Sequence, residues 1–520
     1  MHEVTLRLWR ECSGSAMVAQ SIAFTNTCGV SFTLNMPLIS QEEVSPVCPG
    51  QLEQTTCHGG GLIGLELYTY RTSLFLSPCN FWTLYWNICC RNTSLNLSAQ
   101  QGLYIEARLN NAGATCNASP VFSDDAPPFA CVGQPVSYNP GVTASPNNTL
   151  RFRMIDARRF TGQVEPVIYQ FPHLGEQPYT GMVIDSLTGR IEFTPDMQGY
   201  IYVVIEVNMY NAAGTWIGSV MRDFPFVVQA CTNQVPTVSS GQVGTVTGGA
   251  TVTGQREISV CPNSSFCVQT TIVDNDGGQI LELSSNVAVA LPGASFTVTG
   301  SNPAMVSICW SSVGAAPGLR SFVIAASDNA CPIRGSQTYT FKVIITSPPV
   351  AGTSGTVSYC AIAAPFALID SLADAAPNGT WSGPNGPSDG QFDPATDQPG
   401  AYTYTVINGQ GCTGTAILTV AQLPSNDPYC VLLSTGELER SSFSVFPNPN
   451  MGSLRFGPAL LPGCTLSMID LQGRIAWNSG RLVNGATALE LPNTLVNGSY
   501  IVQVVDPLGL VRMARIELVR

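Results

Sequence analysis

The chain has 520 residues, a formal net charge of −12 and a single lysine, Lys342, so it presents no basic face to a nucleic-acid partner. It carries 49 Gly and 37 Pro with only 11% charged residues, and no stretch sustains a helical period; it reads as an all-β protein of short strands joined by turns. Apolar runs are broken by Arg, Pro or Asn well before the roughly eighteen residues of a membrane helix, so no transmembrane segment is expected.

Residues 1–118 form a cysteine-rich N-terminal β module that holds eight of the eighteen cysteines. Leu65-Glu-Leu-Tyr-Thr-Tyr-Arg-Thr-Ser-Leu74 alternates as a half-buried strand does, and further strands are expected at 4–9, 31–34, 81–86 and 103–109. So many cysteines do not suit a reducing cytosol. His2, His58 and His173 are too scattered to complete zinc sites, so bridges in an oxidising compartment are the better account. Cys12 with Cys28 and Cys48 with Cys57 are the expected local pairs, whereas adjacent Cys89 and Cys90 are expected to seek separate partners. Arg7-Leu-Trp-Arg-Glu-Cys-Ser-Gly14, Glu43-Val-Ser-Pro-Val-Cys-Pro-Gly50 and Trp86-x-x-Cys-Cys-Arg-Asn92 resemble an N-terminal module of large Bacteroidetes surface proteins, found beside gliding-motility or PKD-type domains.

Residues 119–233 resemble a cadherin/Ig-like sandwich, with Asp185-Ser-Leu-Thr-Gly-Arg-Ile-Glu-Phe-Thr-Pro195 as a strand pair and Gly199–Val207 as a core strand. The loop where relatives bind calcium reads Asn139-Pro-Gly-Val-Thr-Ala-Ser-Pro-Asn-Asn148, without a carboxylate, so no ion is placed there. Residues 234–348 are a second cadherin/Ig-like sandwich. Its Asp274, Asp276 and Asp328 are the candidate calcium ligands, calcium being the one cofactor the chain suggests; a polar Asp-Asn-Asp-Gly turn is the competing account. Cys309 with Cys331 is the pair expected in this region. Residues 349–425 resemble an Ig-like repeat with Cys360 and Cys412 paired and Trp381 as a core anchor, and 426–442 read as a linker.

The remaining stretch, 443–520, carries three ordered motifs: Pro447-Asn448-Pro449 with Gly452, then Asp470-x-x-Gly473-Arg474, then Gly498-x-Tyr500. In this order, at the chain end, they resemble the type A C-terminal sorting domain of Bacteroidetes type IX secretion cargo. The resemblance implies a detachable export address read by the type IX machinery and its sortase, and no chemistry. Cys464 and the Arg520 terminus depart from the pattern, and Cys430 and Cys464 are the cysteines expected to stay unpaired. Export also requires a signal peptide, yet residues 1–9 already alternate as a strand; it is expected to be missing from this chain.

Little in the chain provides for catalysis. Cys57-His58-Gly-Gly-Gly61 resembles a lipase oxyanion loop, but no Gly-x-Ser-x-Gly elbow accompanies it. Adjacent Glu42-Glu43 and Asp124-Asp125 would point to opposite faces of an extended chain and so make no glycosidase pair. No catalytic residue is assigned. The sequence points to a secreted or outer-membrane-surface, non-catalytic, adhesin-like protein that binds a glycan or another cell-surface ligand. A carbohydrase with accessory sandwiches and a structural stalk of a surface assembly are the alternatives.

Overall fold

The computed structural model describes all residues except 114–116, 125–126, 146, 242, 428–429, 431–442, 485 and 508–509. Cys116, Asp125 and most of the 426–442 linker therefore lie outside the described residues. The chain forms two units: residues 1–351 with 376–379 and 405–415, and residues 352–375 with 380–404 and 416–520. Both are built almost wholly of antiparallel β-sheet, in tandem sandwiches.

In the first unit, His2–Glu11 and Leu38–Glu43 flank Leu65–Leu74, whose alternation buries Tyr68 and Tyr70 in one core with Leu6, Leu8 and Phe24. The facing sheet does not stop at residue 118. It runs from Ser31–Met36 through Gln20–Asn26, Trp82–Ile88 and Leu103–Leu109 directly onto Trp216–Gln229 and Gly199–Tyr210, with Gly218 opposite Leu109 and Val220 opposite Ala107. The boundary drawn at 118/119 thus lies between strands of one continuous sheet. Sequence locality hides this, because the pairing joins residues about a hundred positions apart.

A buried ion pair lies beside this seam. Arg91 and Asp223 have fully buried side chains and are in direct contact, and the Arg91 guanidinium also donates to the carbonyls of Gly102 and Arg158. A buried guanidinium needs such a full set of acceptors to offset its lost hydration.

The next sandwich packs the sheet Thr237–Val238, Ser265–Val273, Ala304–Ser311 and Ser295–Thr299 against a five-stranded sheet. In the latter, Glu257–Val260 runs parallel to Ser336–Ile345, and Phe322, Ile324, Phe341 and Val343 fill the interlayer space. The loop after Val136–Tyr138 seals it to the preceding sandwich. Asn139, 2% exposed, donates from Nδ2 to Thr188 O and Thr340 Oγ1, and its amide donates to Thr338 Oγ1 at 2.6 Å.

In the second unit, Gly355–Tyr359 runs parallel to Thr413–Gln422, and Trp381, 8% exposed, packs 4.8 Å from Tyr404 as a core anchor. The C-terminal sandwich, 443–520, sets the sheet Ser444–Phe446, Ser453–Leu460 and Ala486–Glu490 against Ile475–Arg481, Thr465–Asp470, Gly498–Val505 and Val511–Leu518. Leu454, Leu466, Met468, Val502, Ile516 and Leu518 fill its core.

The cysteine pairing differs from the expected one throughout. Among the described residues the bridges are Cys12–Cys57, Cys28–Cys79, Cys48–Cys331, Cys89–Cys90, Cys131–Cys231, Cys261–Cys412, Cys267–Cys309 and Cys360–Cys430. Every cysteine named as a bridging candidate is bridged, but none to the partner chosen for it by sequence proximity. Partners are set by which strand ends meet in space, and Cys48 meets Cys331 across 283 positions. Cys89 and Cys90 do bond each other, across a cis peptide that brings their Cα atoms to 3.1 Å. Cys430 is bridged, whereas Cys464 is free and buried.

Two outcomes follow. Arg91→Met strands the Asp223 carboxylate and should destabilise the first unit by about 3–5 kcal/mol in denaturant titration, while Arg91→Met with Asp223→Leu recovers most of that loss. Non-reducing peptide mapping should recover the Cys48 peptide joined to the Cys331 peptide; finding Cys48 joined to Cys57 would refute this pairing.

Candidate binding cleft

The junction sealed by Asn139 opens into a cleft of about 250 Å³. Thr188 and Arg190 come from the turn before Ile191–Phe193, Arg256 and Glu257 from the hairpin joining Ala250–Gly254 to Glu257–Val260, and Thr340 and Lys342 from Ser336–Ile345. Alternation places Thr340 and Lys342 on the same face of their strand, opposite core-facing Phe341 and Val343.

Three cations meet here in a strongly acidic protein, and two of them are neutralised. Lys342 Nζ lies 2.8 Å from Asp185 Oδ2, and Arg190 lies 3.4 Å from Glu192. Glu257 accepts from Thr253 Oγ1 at 3.0 Å. Arg256 makes no ion pair among the described residues. Its guanidinium sits 5.7 Å over the Tyr339 ring, and its buried Nε has no hydrogen-bond partner. Burial, then the neighbouring Arg190 charge, lower the Arg256 pKa against the opposing charge of Glu192, yet a guanidinium stays protonated in a protein. The cleft therefore presents, beside the Glu257 carboxylate and within the field of Glu192, a cation that makes no ion pair among the described residues. Sequence reasoning missed it because the lone Lys342 and the two arginines are scattered over some 150 positions; the one available signal was a lysine inside a strand of an otherwise lysine-free chain.

The three candidate calcium ligands adjoin one another but are not arranged as a metal site. Asp328 Oδ1 accepts the amides of Ala330 and Gly335, its Oδ2 accepts Asn233 Nδ2 at 2.6 Å, and Asp276 Oδ2 accepts the Gln234 amide at 2.6 Å. Only Asp274 Oδ2 is buried without a partner, and among the described residues no three acidic, Cys or His groups are placed to hold a metal ion. The carboxylates serve as turn acceptors, as the polar-turn account of Asp-Asn-Asp-Gly has it.

His58 lies 2.9 Å from Glu43, which also accepts from Ser45 Oγ and Thr55 Oγ1, so the acid sits between serine and imidazole. A hydrolytic triad needs the imidazole in the middle to take the hydroxyl proton. Burial pushes the Glu43 carboxyl up, but the bonds from Ser45, Thr55 and His58 outweigh it and hold the pKa below the usual range. Glu43 thus acts as an ionised anchor for the glycine loop that Cys12–Cys57 tethers. His173 stacks on Tyr179 at 5.5 Å.

The residues of the sorting motif form polar clamps on the C-terminal sandwich. Asn448 Oδ1 accepts the Glu517 amide and its Nδ2 donates to Arg515 O, while the turn through Pro447 and Pro449 returns at Gly452, φ +109°. Asp470 accepts the Gln472 and Arg474 amides and Arg474 Nε at 2.9 Å across a turn with Gly473 at φ +80°, and the Arg474 amide bond leads in lowering its pKa. Tyr500, in the strand opened by Gly498, is buried and donates to Val496 O. Sequence reading passed over fully buried Asn450, whose Oδ1 accepts the Gly452 amide and whose backbone pairs with Glu517 and Val519.

No protein-family model matches the chain, and no curated protein matches its sequence. Among solved structures, the titin I-band fragment I67-I69 aligns at 11% identity over 59% of this chain and 100% of its own, with a TM-score of 0.22. The BSP domain of a biofilm-associated protein aligns at 9% identity over 77% and 96%, TM-score 0.22. The N-terminal eight Ig domains of the Down syndrome cell adhesion molecule align at 10% over 97% and 74%, TM-score 0.14. At these scores the fold assignment rests on the strand pairings described above.

The Asp274 cluster gives a testable contrast. Burial raises the Asp274 pKa, opposed by the Asp276 amide and reinforced by the Asp328 and Asp276 charges. A raised folded-state pKa means that its contribution is fully present at acid pH and lost as pH climbs through that pKa. Asp274→Asn, which stays neutral, should therefore gain melting temperature relative to wild type on going from about pH 3.5 to about pH 7. Adding calcium should leave both melts unchanged; a calcium-dependent rise abolished by the substitution would restore the metal site.

Proposed function

We propose that this protein is a secreted or cell-surface, non-catalytic, adhesin-like binding protein, and that its ligand is a glycan bearing an oxyanion, carboxylate or sulfate. The observation that carries the reading is Arg256, which lines a polar cleft and lies over Tyr339 with no ion pair among the described residues and its Nε unpartnered. A planar guanidinium is suited to bidentate recognition of an oxyanion, and the exposed Gln255 beside it suits saccharide hydroxyls. The rigid seal at Asn139 presets the cleft, which reduces the ordering cost of binding. The bridged cysteines fit an oxidising, extracellular setting, and no described helix is long and apolar enough to cross a membrane.

Residues 443–520 are proposed as the export address, read by a type IX machinery and its sortase. What supports this is a self-contained core, with the motif residues spent on turns and clamps.

The full chain should bind uronate-containing or sulfated oligosaccharides on an array and pass over their neutral counterparts. Arg256→Gln, which keeps a polar side chain at this half-buried position, should weaken binding by about 10- to 100-fold, the worth of one charge-assisted hydrogen bond, with an unchanged melting temperature as the check that the fold is kept. Equal binding to neutral glycans, or an unaffected variant, would refute the assignment. The uronate and sulfate arms identify which oxyanion is read. Deleting residues 443–520 in the native host should abolish surface delivery while the remaining chain accumulates; undiminished delivery would sink the sorting role.

A further inference from the structure

The disulfides overlap along the chain. The loop closed by Cys12–Cys57 overlaps the one closed by Cys48–Cys331, that one overlaps Cys261–Cys412, and the last overlaps Cys360–Cys430. Bridges that each closed inside one sandwich would leave extensible chain between sandwiches. Overlapping loops leave almost none.

We propose that this interlocked set makes the protein a load-bearing tether whose maximum length is fixed covalently. Tension applied at the two ends of the chain enters the network at Cys12 and crosses to Cys57. It then runs back to Cys48, crosses to Cys331, follows the backbone to Cys360 and leaves at Cys430. Only 9 residues (57 to 48) and 29 residues (331 to 360) of that route are unbridged backbone. The rest of the 12–430 stretch lies in closed loops that the taut path bypasses. Its sandwiches carry load while folded, and if one is pulled open its loop still adds no length. Resistance to forced unfolding normally depends on an unfolding rate; here a covalent limit stands behind that rate. This property does not depend on the cleft or its ligand, so it stands or falls separately from the binding assignment.

Single-molecule stretching of the full chain, held at its two termini, tests the proposal. Without reductant, all extensible backbone, including the ends outside residues 12–430, should reach about 500 Å at about 3.5 Å per residue. With dithiothreitol the same chain should reach about 1,800 Å. A Cys48→Ser/Cys331→Ser variant forces the route through Cys28–Cys79, Cys131–Cys231 and Cys261–Cys412 and should stop near about 750 Å. An unreduced wild-type chain extending beyond about 1,000 Å would overturn the proposal, as would reduction that releases no further length. The comparison of oxidised and reduced wild type decides the matter even if the variant does not fold.

Discussion

The first unit depends on a buried charge being fully satisfied. Trp216–Gln229 serves both the N-terminal module and the sandwich that follows, pairing with Leu103–Leu109 on one edge and with Gly199–Tyr210 on the other. Asp223, in the middle of that strand, is fully buried, and a bare carboxylate there would be prohibitively costly. Arg91 meets it from the segment that follows Trp82–Ile88, and two carbonyls take up the rest of the guanidinium. In this docking of module on sandwich both partners are satisfied, and removing either would strand the other. An apolar substitute would tolerate other registers.

The same logic acts at the next junction with neutral groups. Asn139 spends its side chain on Thr188 and Thr340 and its amide on Thr338, so two sandwiches are held by directional bonds in a buried position. Beside it, strict alternation along Ser336–Ile345 turns Lys342 outward into the cleft while Phe341 and Val343 turn inward. The cleft's chemistry is what remains after these structural pairings are made. Lys342 and Arg190 are committed to Asp185 and Glu192, while Arg256 makes no ion pair among the described residues and its Nε has no hydrogen-bond partner.

The C-terminal sandwich is stabilised differently from the bridged stretch before it. Its Cys464 is free, and its cohesion comes from an apolar core and from polar clamps that include Arg520, whose amide and carbonyl bond Asn497 and whose guanidinium donates to Leu491 O. The Arg520 terminus, a departure from the sorting-domain pattern at the level of sequence, thus has a clear structural place.

Alternation and turn residues are local properties, so the sequence alone determined the all-β class, most strand positions and the core role of Trp381. Cysteine abundance likewise indicated bridging. Which cysteine bonds which, and where one sheet ends, were decided only in three dimensions. Cys48 and Cys331, or Val220 and Ala107, become neighbours through the stacking of whole strands, and nothing within a few residues of either records it. The candidate calcium set shows the converse. Asp274, Asp276 and Asp328 act on one another electrostatically, but whether their oxygens face an ion or the amides of Gln234, Ala330 and Gly335 depends on the path of backbone from other strands. Arg256 was invisible for the same reason: which groups pair with it and which do not is a statement about its neighbours, and only the folded chain specifies them.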